Sequence, residues 1–72
     1  MSRLADLRDR VAVVTGAASG IGRATSVALA EAGCHLALAD IDDTGLEETA
    51  RRIEALGRRA TRHRVDVTDR AA

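Results

Sequence analysis

The sequence predicts an α/β fold in which three strands alternate with two helices, in the order β-α-β-α-β. Short apolar segments alternate with longer segments whose apolar residues recur at helical spacing, and glycines separate the two kinds. Strands that alternate with helices in this way form a parallel sheet. The length of 72 residues leaves room for one small domain at most.

The three predicted strands differ in polarity. Residues 11–14 (Val-Ala-Val-Val) form a continuous apolar run, which is typical of a strand covered on both faces. Residues 36–39 form a second apolar run that ends at Asp40, whereas residues 60–65 are polar, as in edge strands. This gradient fits the doubly wound strand order 3-2-1, in which the first strand is central and the third is outermost.

The first predicted helix follows a glycine-rich segment and ends near Gly33, since glycine often follows the last helical residue. Its expected apolar stripe comprises Ile21, Ala24, Ala28 and Ala32, with Leu29 beside them.

The second predicted helix begins near Thr44, which forms the S/T-x-x-E capping pattern with Glu47. Asp42 and Asp43 are also suited to capping, and Gly57 is expected just beyond the end. Its expected apolar stripe comprises Leu46, Ala50, Ile53 and Leu56.

Residues 15–22, Thr-Gly-Ala-Ala-Ser-Gly-Ile-Gly, join the first strand to the first helix. Gly16, Gly20 and Gly22 permit a tight turn, let a phosphate approach the backbone and let the helix pack closely on the strand. Amides at the start of the helix lack intrahelical partners and attract anions. We therefore predict a pyrophosphate site and a partial, Rossmann-type parallel sheet, truncated from the doubly wound fold; a plain glycine-rich turn is the alternative.

Asp40 ends the second strand, 18 residues after Gly22. An acid there accepts hydrogen bonds from the adenosine ribose and repels a 2′-phosphate, so NAD is predicted over NADP. Ile41 occupies the next position, where a site for NADP would favour a cation. Arg23 is the one nearby cation, and its side chain is expected to face solvent. The alternative for Asp40 is that it only helps to cap the second helix.

The spacing Gly-x-x-x-Gly-x-Gly after Val14-Thr15 resembles the single-domain branch of the short-chain dehydrogenase/reductase family. The segment 4–10, the Asp40-Ile41 pair and the Asp66-Val67 pair strengthen this resemblance, which covers essentially the whole chain. It implies that the pyrophosphate and its riboses contact Ser19, Gly20 and Ile21. It also implies that Asp40 holds the adenosine ribose, that Ile41 lies against the adenine, and that the adenine edge meets Asp66 and Val67; capping of a following helix is the alternative for Asp66.

The resemblance also shows what the sequence lacks. The family transfers hydride between a nicotinamide cofactor and an alcohol or carbonyl substrate, using a Tyr-x-x-x-Lys motif, and this sequence contains no Tyr and no Lys. No residue is therefore assigned as catalytic. The sequence ends where a further helix would begin, so residues 1–72 are expected to be the N-terminal part of a single NAD(P)-binding domain, and a small-molecule substrate is expected only with the remaining part.

Composition argues against several other partners. The formal net charge is zero and there are no aromatic residues, so neither nucleic acid nor a membrane surface is an expected partner. No metal-ligand cluster is visible, and the single Cys34 fits a cytoplasmic protein. Two alternatives to an enzyme segment remain: a non-catalytic module that binds NAD or ADP-ribose, and an inert fragment whose unpaired strand edge joins another chain or forms a homo-oligomer.

Overall fold

A computed structural model describes residues 8–66 and confirms the predicted order of elements. The sheet is three-stranded and parallel, with the order β1-β2-β3, as predicted. This is part of a Rossmann-type α/β fold. The elements are β1 (Val11–Thr15), α1 (Gly20–Glu31), β2 (His35–Asp40), α2 (Asp43–Ala55) and β3 (Ala60–Arg64).

The parallel register brings the carboxyl ends of all three strands to one edge of the sheet. Thr15 of β1 is level with Ala39 of β2, and Asp40 is level with Arg64 of β3. The segments that follow the strands therefore meet at this edge, which is where open α/β sheets bind ligands.

The core lies between one face of the sheet and both helices. Leu36 and Leu38 of β2 pack with Leu46 and Ile53 of α2, and all four side chains are buried. Full burial of each such side chain contributes about 1.5–3 kcal/mol. Because α1 and α2 also contact each other, they cover the same face of the sheet.

The prediction that β1 is covered on both faces is wrong for the described part of the chain. Val11 is 68% exposed and Val13 is 73% exposed, whereas Val14 is buried under the helices. Two right-handed crossovers that step in the same direction place both helices on one side of a sheet. Within residues 8–66, β1 pairs with β2 alone, which agrees with the predicted partial order and its unpaired strand edge.

The predicted apolar stripe of α1 is also wrong. Ala24 and Ala28 are exposed, and the residues of α1 that are buried are Ser26 and Ala30. The inward face runs from Gly22 through Ser26 to Ala30, at intervals of four residues. Small side chains allow the helix to lie close to the loop and sheet, and the Ser26 hydroxyl donates to the Gly22 carbonyl at 2.7 Å.

Helix α2 begins differently from the predicted capping pattern. The N-cap is Asp42, whose carboxylate accepts from the Gly45 backbone N–H at 3.1 Å, and Thr44 lies inside the first turn. The predicted buried stripe is confirmed at three positions, Leu46, Ala50 and Ile53, but Leu56 is 42% exposed. The carboxylate of Asp42 reaches the amide three residues ahead, and this is the geometry that an N-cap requires.

Replacing Asp42 by Ala should reduce the free energy of unfolding by about 1 kcal/mol, because the Gly45 N–H loses its acceptor. Thermal unfolding followed by circular dichroism measures the effect. Asp42→Asn is the matched control, since its side-chain oxygen keeps the cap. Equal melting temperatures for the Ala and Asn variants would show that the cap contributes nothing.

Several other features of the structure agree with what the residue types indicate. Cys34 is buried next to β2, and His63 lies on the exposed, polar β3, where its Nε2 is 3.0 Å from the Thr61 hydroxyl. Gly33 and Gly57 have positive φ angles just beyond the two helices, as expected. No helix within residues 8–66 combines the length and the apolar character needed to cross a membrane.

Candidate functional site

A cleft of about 320 Å³ opens at the carboxyl ends of the three strands. We call it the strand-end cleft. It combines predicted site residues from three separate segments of the chain, and its walls contain both apolar side chains and carboxylates. Its lining residues are Thr15, Gly16, Ala39, Asp40, Ile41, Val65 and Asp66.

The glycine-rich loop borders this cleft, and its glycines meet two different requirements. Gly16 and Gly20 have φ angles of +65° and +59°, which side-chain-bearing residues rarely adopt, and a Cβ on either would point into open space. A Cβ on Gly22 would instead overlap the Gly16 carbonyl group. The first two positions thus leave the backbone approachable, and the third allows α1 to pack against the loop.

The start of α1 is suited to an anion. Ser19 is the N-cap residue, but its hydroxyl makes no capping hydrogen bond, and the first turn contains no acidic residue. The first N–H groups of a helix lack intrahelical acceptors, and the helix dipole adds partial positive charge there. Ser19 and Gly20 are exposed, and Ile21 is 85% exposed, so the surface above these amides is open.

Asp40 connects the glycine-rich loop to the end of β2. One carboxylate oxygen accepts from the Ala18 N–H at 3.0 Å, and the other accepts from the N–H groups of Ile41 at 2.6 Å and Asp42 at 3.1 Å. The hydrogen bond from Ala18 is the main cause of a lowered Asp40 pKa, and those from Asp42 and Ile41 add to it, against the opposing effect of burial. Asp40 is therefore a carboxylate at neutral pH, held at the rim of the cleft.

The lowered pKa gives Asp40 a predictable pH dependence. A group whose pKa falls on folding stabilises the native state above its ordinary pKa of 3.8, and this contribution is lost as the pH falls through the folded value. We expect the difference in melting temperature between the parent and Asp40→Asn to be constant above about pH 5 and to shrink towards about pH 2. A difference that stays constant over that range would contradict this assignment.

The structure places most predicted site residues at one edge of the sheet. Four of the nine line the strand-end cleft: Gly16, Asp40, Ile41 and Asp66. Four more form the adjoining start of α1: Ser19, Gly20, Ile21 and Gly22. Val67 lies outside the described residues. The alternative that Asp40 helps to order the start of α2 also has support, since it accepts from the Asp42 N–H.

Arg23 does not face solvent as predicted. Its side chain is half-buried and donates from Nε to the Thr49 hydroxyl at 2.9 Å and from a terminal nitrogen to the carbonyls of Ala18 and Gly45. Sequence reasoning missed Gly45 and Thr49 as well. Thr49 lies on the buried stripe of α2, where a polar residue needs a partner, and this was the only sign of the contact in the sequence.

The sequence also matches a family model. Residues 10–72 match the model for short chain dehydrogenases. The chain belongs to the short-chain dehydrogenase family. Among curated proteins, cis-4-hydroxycyclohexanecarboxylate dehydrogenase of Sinomonas cyclohexanicum is 51% identical over 61 residues, which cover 85% of this chain and 24% of that protein. The chain spans about a quarter of the length of this dehydrogenase and of the putative oxidoreductase SadH of Mycobacterium tuberculosis, and a smaller share of longer relatives.

Solved short-chain dehydrogenase structures superpose well on the chain. Carveol dehydrogenase from Mycobacterium avium, in complex with NAD, has a TM-score of 0.82 and 33% identity, covering 88% of this chain and 27% of that one. L-Sorbose reductase from Gluconobacter frateurii, complexed with NADPH and L-sorbose, has a TM-score of 0.81 and 38% identity, with coverages of 88% and 24%. The shared fold thus includes proteins solved with either nicotinamide cofactor.

Proposed function

We propose that this chain is the NAD-binding segment of an oxidoreductase that transfers hydride between NAD and an alcohol or carbonyl substrate. On this proposal, residues 1–72 form the N-terminal part of a single dinucleotide-binding domain. The observation that carries it is that Gly16 of the glycine-rich loop and Asp40 line the strand-end cleft together, while Asp40 also accepts from the Ala18 N–H of the loop that leads into α1. Family membership and the complexes of related structures with nicotinamide cofactors support the same function.

Each part of the proposed site meets one part of the cofactor. The pyrophosphate lies against the amides of Ser19, Gly20 and Ile21, where the helix dipole favours negative charge. The adenosine ribose donates its hydroxyls to Asp40, and the adenine lies near Ile41. Asp66 and Val67 contact the edge of the adenine. These contacts position the cofactor, and the nicotinamide supplies the hydride chemistry when the cofactor is bound.

The choice of NAD over NADP rests on charge. A 2′-phosphate would lie beside the Asp40 carboxylate, whose lowered pKa keeps it negative. The nearby Arg64 donates from Nε to the Ile41 carbonyl at 3.2 Å, and the same nitrogen lies 3.9 Å from the Asp43 carboxylate. These contacts engage one nitrogen of Arg64, so the preference for a cofactor without the extra phosphate rests on the charge of Asp40.

Calorimetric titration of the chain with NAD, NADP and ADP-ribose tests this proposal. We expect NAD to bind at least about tenfold more tightly than NADP, because of the repulsion at Asp40. ADP-ribose should bind about as tightly as NAD, since the proposed contacts involve only the adenosine and pyrophosphate. Equal affinities for NAD and NADP would overturn the choice of cofactor, and absence of binding by the folded chain would overturn the proposed site.

A non-catalytic module that binds NAD or ADP-ribose is the second candidate. It would use the same proposed contacts to the adenosine and the pyrophosphate, which all lie within this chain, without a hydride-transfer step. We expect the 72-residue chain to be inactive by itself. The intact mass of the native product separates the two candidates: a mass several times 7.6 kDa supports the enzyme, and a mass of 7.6 kDa supports the module.

A further inference from the structure

A polar cluster beneath the glycine-rich loop has no role in the contacts proposed so far. Arg23 of α1 extends across to α2, where its Nε donates to the Thr49 hydroxyl at 2.9 Å. A terminal nitrogen of the same guanidinium donates to the Ala18 carbonyl at 2.5 Å and lies 3.3 Å from the Gly45 carbonyl. We call these groups the Arg23–Thr49 cluster. It joins the loop to both helices at one point.

Thr49 completes the cluster from a fully buried position. A hydroxyl has one hydrogen to donate, so Thr49 can accept from Arg23 while donating to the Ala17 carbonyl at 2.8 Å. The Gly45 carbonyl, 3.1 Å from the same hydroxyl, is also within reach of Arg23. The Thr49 hydroxyl, the Arg23 Nε and the carbonyls of Ala17, Ala18 and Gly45 thus each have a partner, and satisfied hydrogen bonds of this kind make a buried polar network rigid.

The cluster fixes two successive peptide units of the loop. The unit between Ala17 and Ala18 is held at both ends, because its carbonyl accepts from Thr49 and its N–H donates to Asp40. The next unit is held at its carbonyl by Arg23, and its N–H belongs to Ser19. Since a trans peptide unit is planar, with its C=O and N–H pointing in opposite directions, the Ser19 N–H points away from Arg23.

The charge of Arg23 adds to this geometric effect. Hydrogen bonds in which the donor is ionised are stronger than neutral ones. A guanidinium on the Ala18 carbonyl polarises the peptide unit, which makes the Ser19 N–H at the other end a better donor to an anion. The close approach is possible because residue 45 is glycine: a Cβ there would lie 2.6 Å from the Ala18 Cβ.

We propose that Arg23 and Thr49 are positioning residues that hold the Ala17–Ser19 backbone with its amide directed at the cofactor pyrophosphate. Neither residue contacts the cofactor in this arrangement. The part of the proposal that concerns affinity rests on the proposed function, whereas the effect on the loop does not.

Two pairs of variants test the proposal. Arg23→Gln removes the charge and the donors of the guanidinium. Arg52→Gln is its control, because Arg52 lies on α2 and, within residues 8–66, its recorded partner is Glu48 at 3.1 Å. Thr49→Val removes the hydroxyl at nearly constant volume and leaves the charge of Arg23, whereas Thr49→Ser restores the hydroxyl. Each variant is examined by amide hydrogen exchange and by calorimetric titration with NAD.

We expect Arg23→Gln and Thr49→Val each to weaken NAD binding by about tenfold and to accelerate exchange of the Ala18 amide by a similar factor. Arg52→Gln and Thr49→Ser should change neither quantity. Unchanged exchange in the loop of Arg23→Gln would overturn the proposal, and so would faster exchange with unchanged NAD affinity. If the parent chain binds no NAD, the proposed function fails, and the exchange rates alone decide whether the cluster holds the loop.

Discussion

Gly22→Ala should displace the glycine-rich loop and weaken NAD binding by well over tenfold. The added Cβ would overlap the Gly16 carbonyl and would lie 3.1 Å from the Ala17 Cα. These are backbone atoms, so no side-chain rotation relieves the contact, and α1 and the loop must separate. Overpacking of this kind costs about 1–3 kcal/mol of folding free energy, and more where the neighbours are rigid.

Gly57→Ala provides a matched control for this prediction. Unlike Gly22, Gly57 has a positive φ angle, +82°, and a Cβ there meets no atom within 4 Å. Gly57 follows α2 at the opposite end of the strands. This variant should lose some stability from backbone strain alone and keep the NAD affinity of the parent. Titration calorimetry and chemical denaturation measure the two quantities. Parental NAD affinity in Gly22→Ala would show that close packing at this position does not shape the site.

Asp40→Asn should reduce NAD affinity by about tenfold and remove the preference for NAD over NADP. The Asn side chain keeps one acceptor oxygen but presents an N–H₂ group to the backbone amides that now donate to the carboxylate. The loss of negative charge also removes the repulsion that a 2′-phosphate would meet. The loss of affinity should be larger for NAD than for NADP, because only NADP benefits from the removal of this repulsion.

Asp43→Asn is the control for the charge argument. Asp43 lies three residues away in the first turn of α2, is largely exposed, and faces Arg64 at 3.9 Å. Removing its charge changes the local net charge by the same amount as Asp40→Asn. We expect this control to retain the selectivity for NAD in competition titrations. A selectivity that survives in Asp40→Asn, or disappears in Asp43→Asn, would show that Asp40 does not set it.

The sequence predicted the elements of this fold because each is specified by local chemistry. Each local signal determines the backbone within a few residues of its own position. These signals are the β-branched run at 11–14, the glycines that follow each helix and the polarity of residues 60–65. Since the strands are parallel, their carboxyl ends must meet at one edge. The grouping of Gly16, Asp40 and Asp66 on one cleft followed from that topology.

The errors have two causes: a contact between residues distant in the sequence, and local patterns that allow more than one backbone path. Arg23 lies 26 residues from Thr49, and nothing near either residue indicates that they are partners. The inward face of α1 was assigned to alanines, but the close approach of Gly22 to Gly16 rotates the Ser26 side into the core. The cap of α2 was misplaced because Asp42, Asp43 and Thr44 are all competent caps, and only the backbone path selects one.

A titration of the isotopically labelled chain with NAD, followed residue by residue in ¹H–¹⁵N correlation spectra, tests the central claim most directly. We predict that the amides that shift will be those of the loop and the strand ends: Gly16, Ser19, Gly20, Ile21, Asp40, Ile41 and Asp66. Those at the opposite end of the sheet, such as His35 and Arg59, should not shift. Shifts confined to that opposite end, or no shifts at saturating NAD, would contradict the assignment of the strand-end cleft and the start of α1 as the cofactor site.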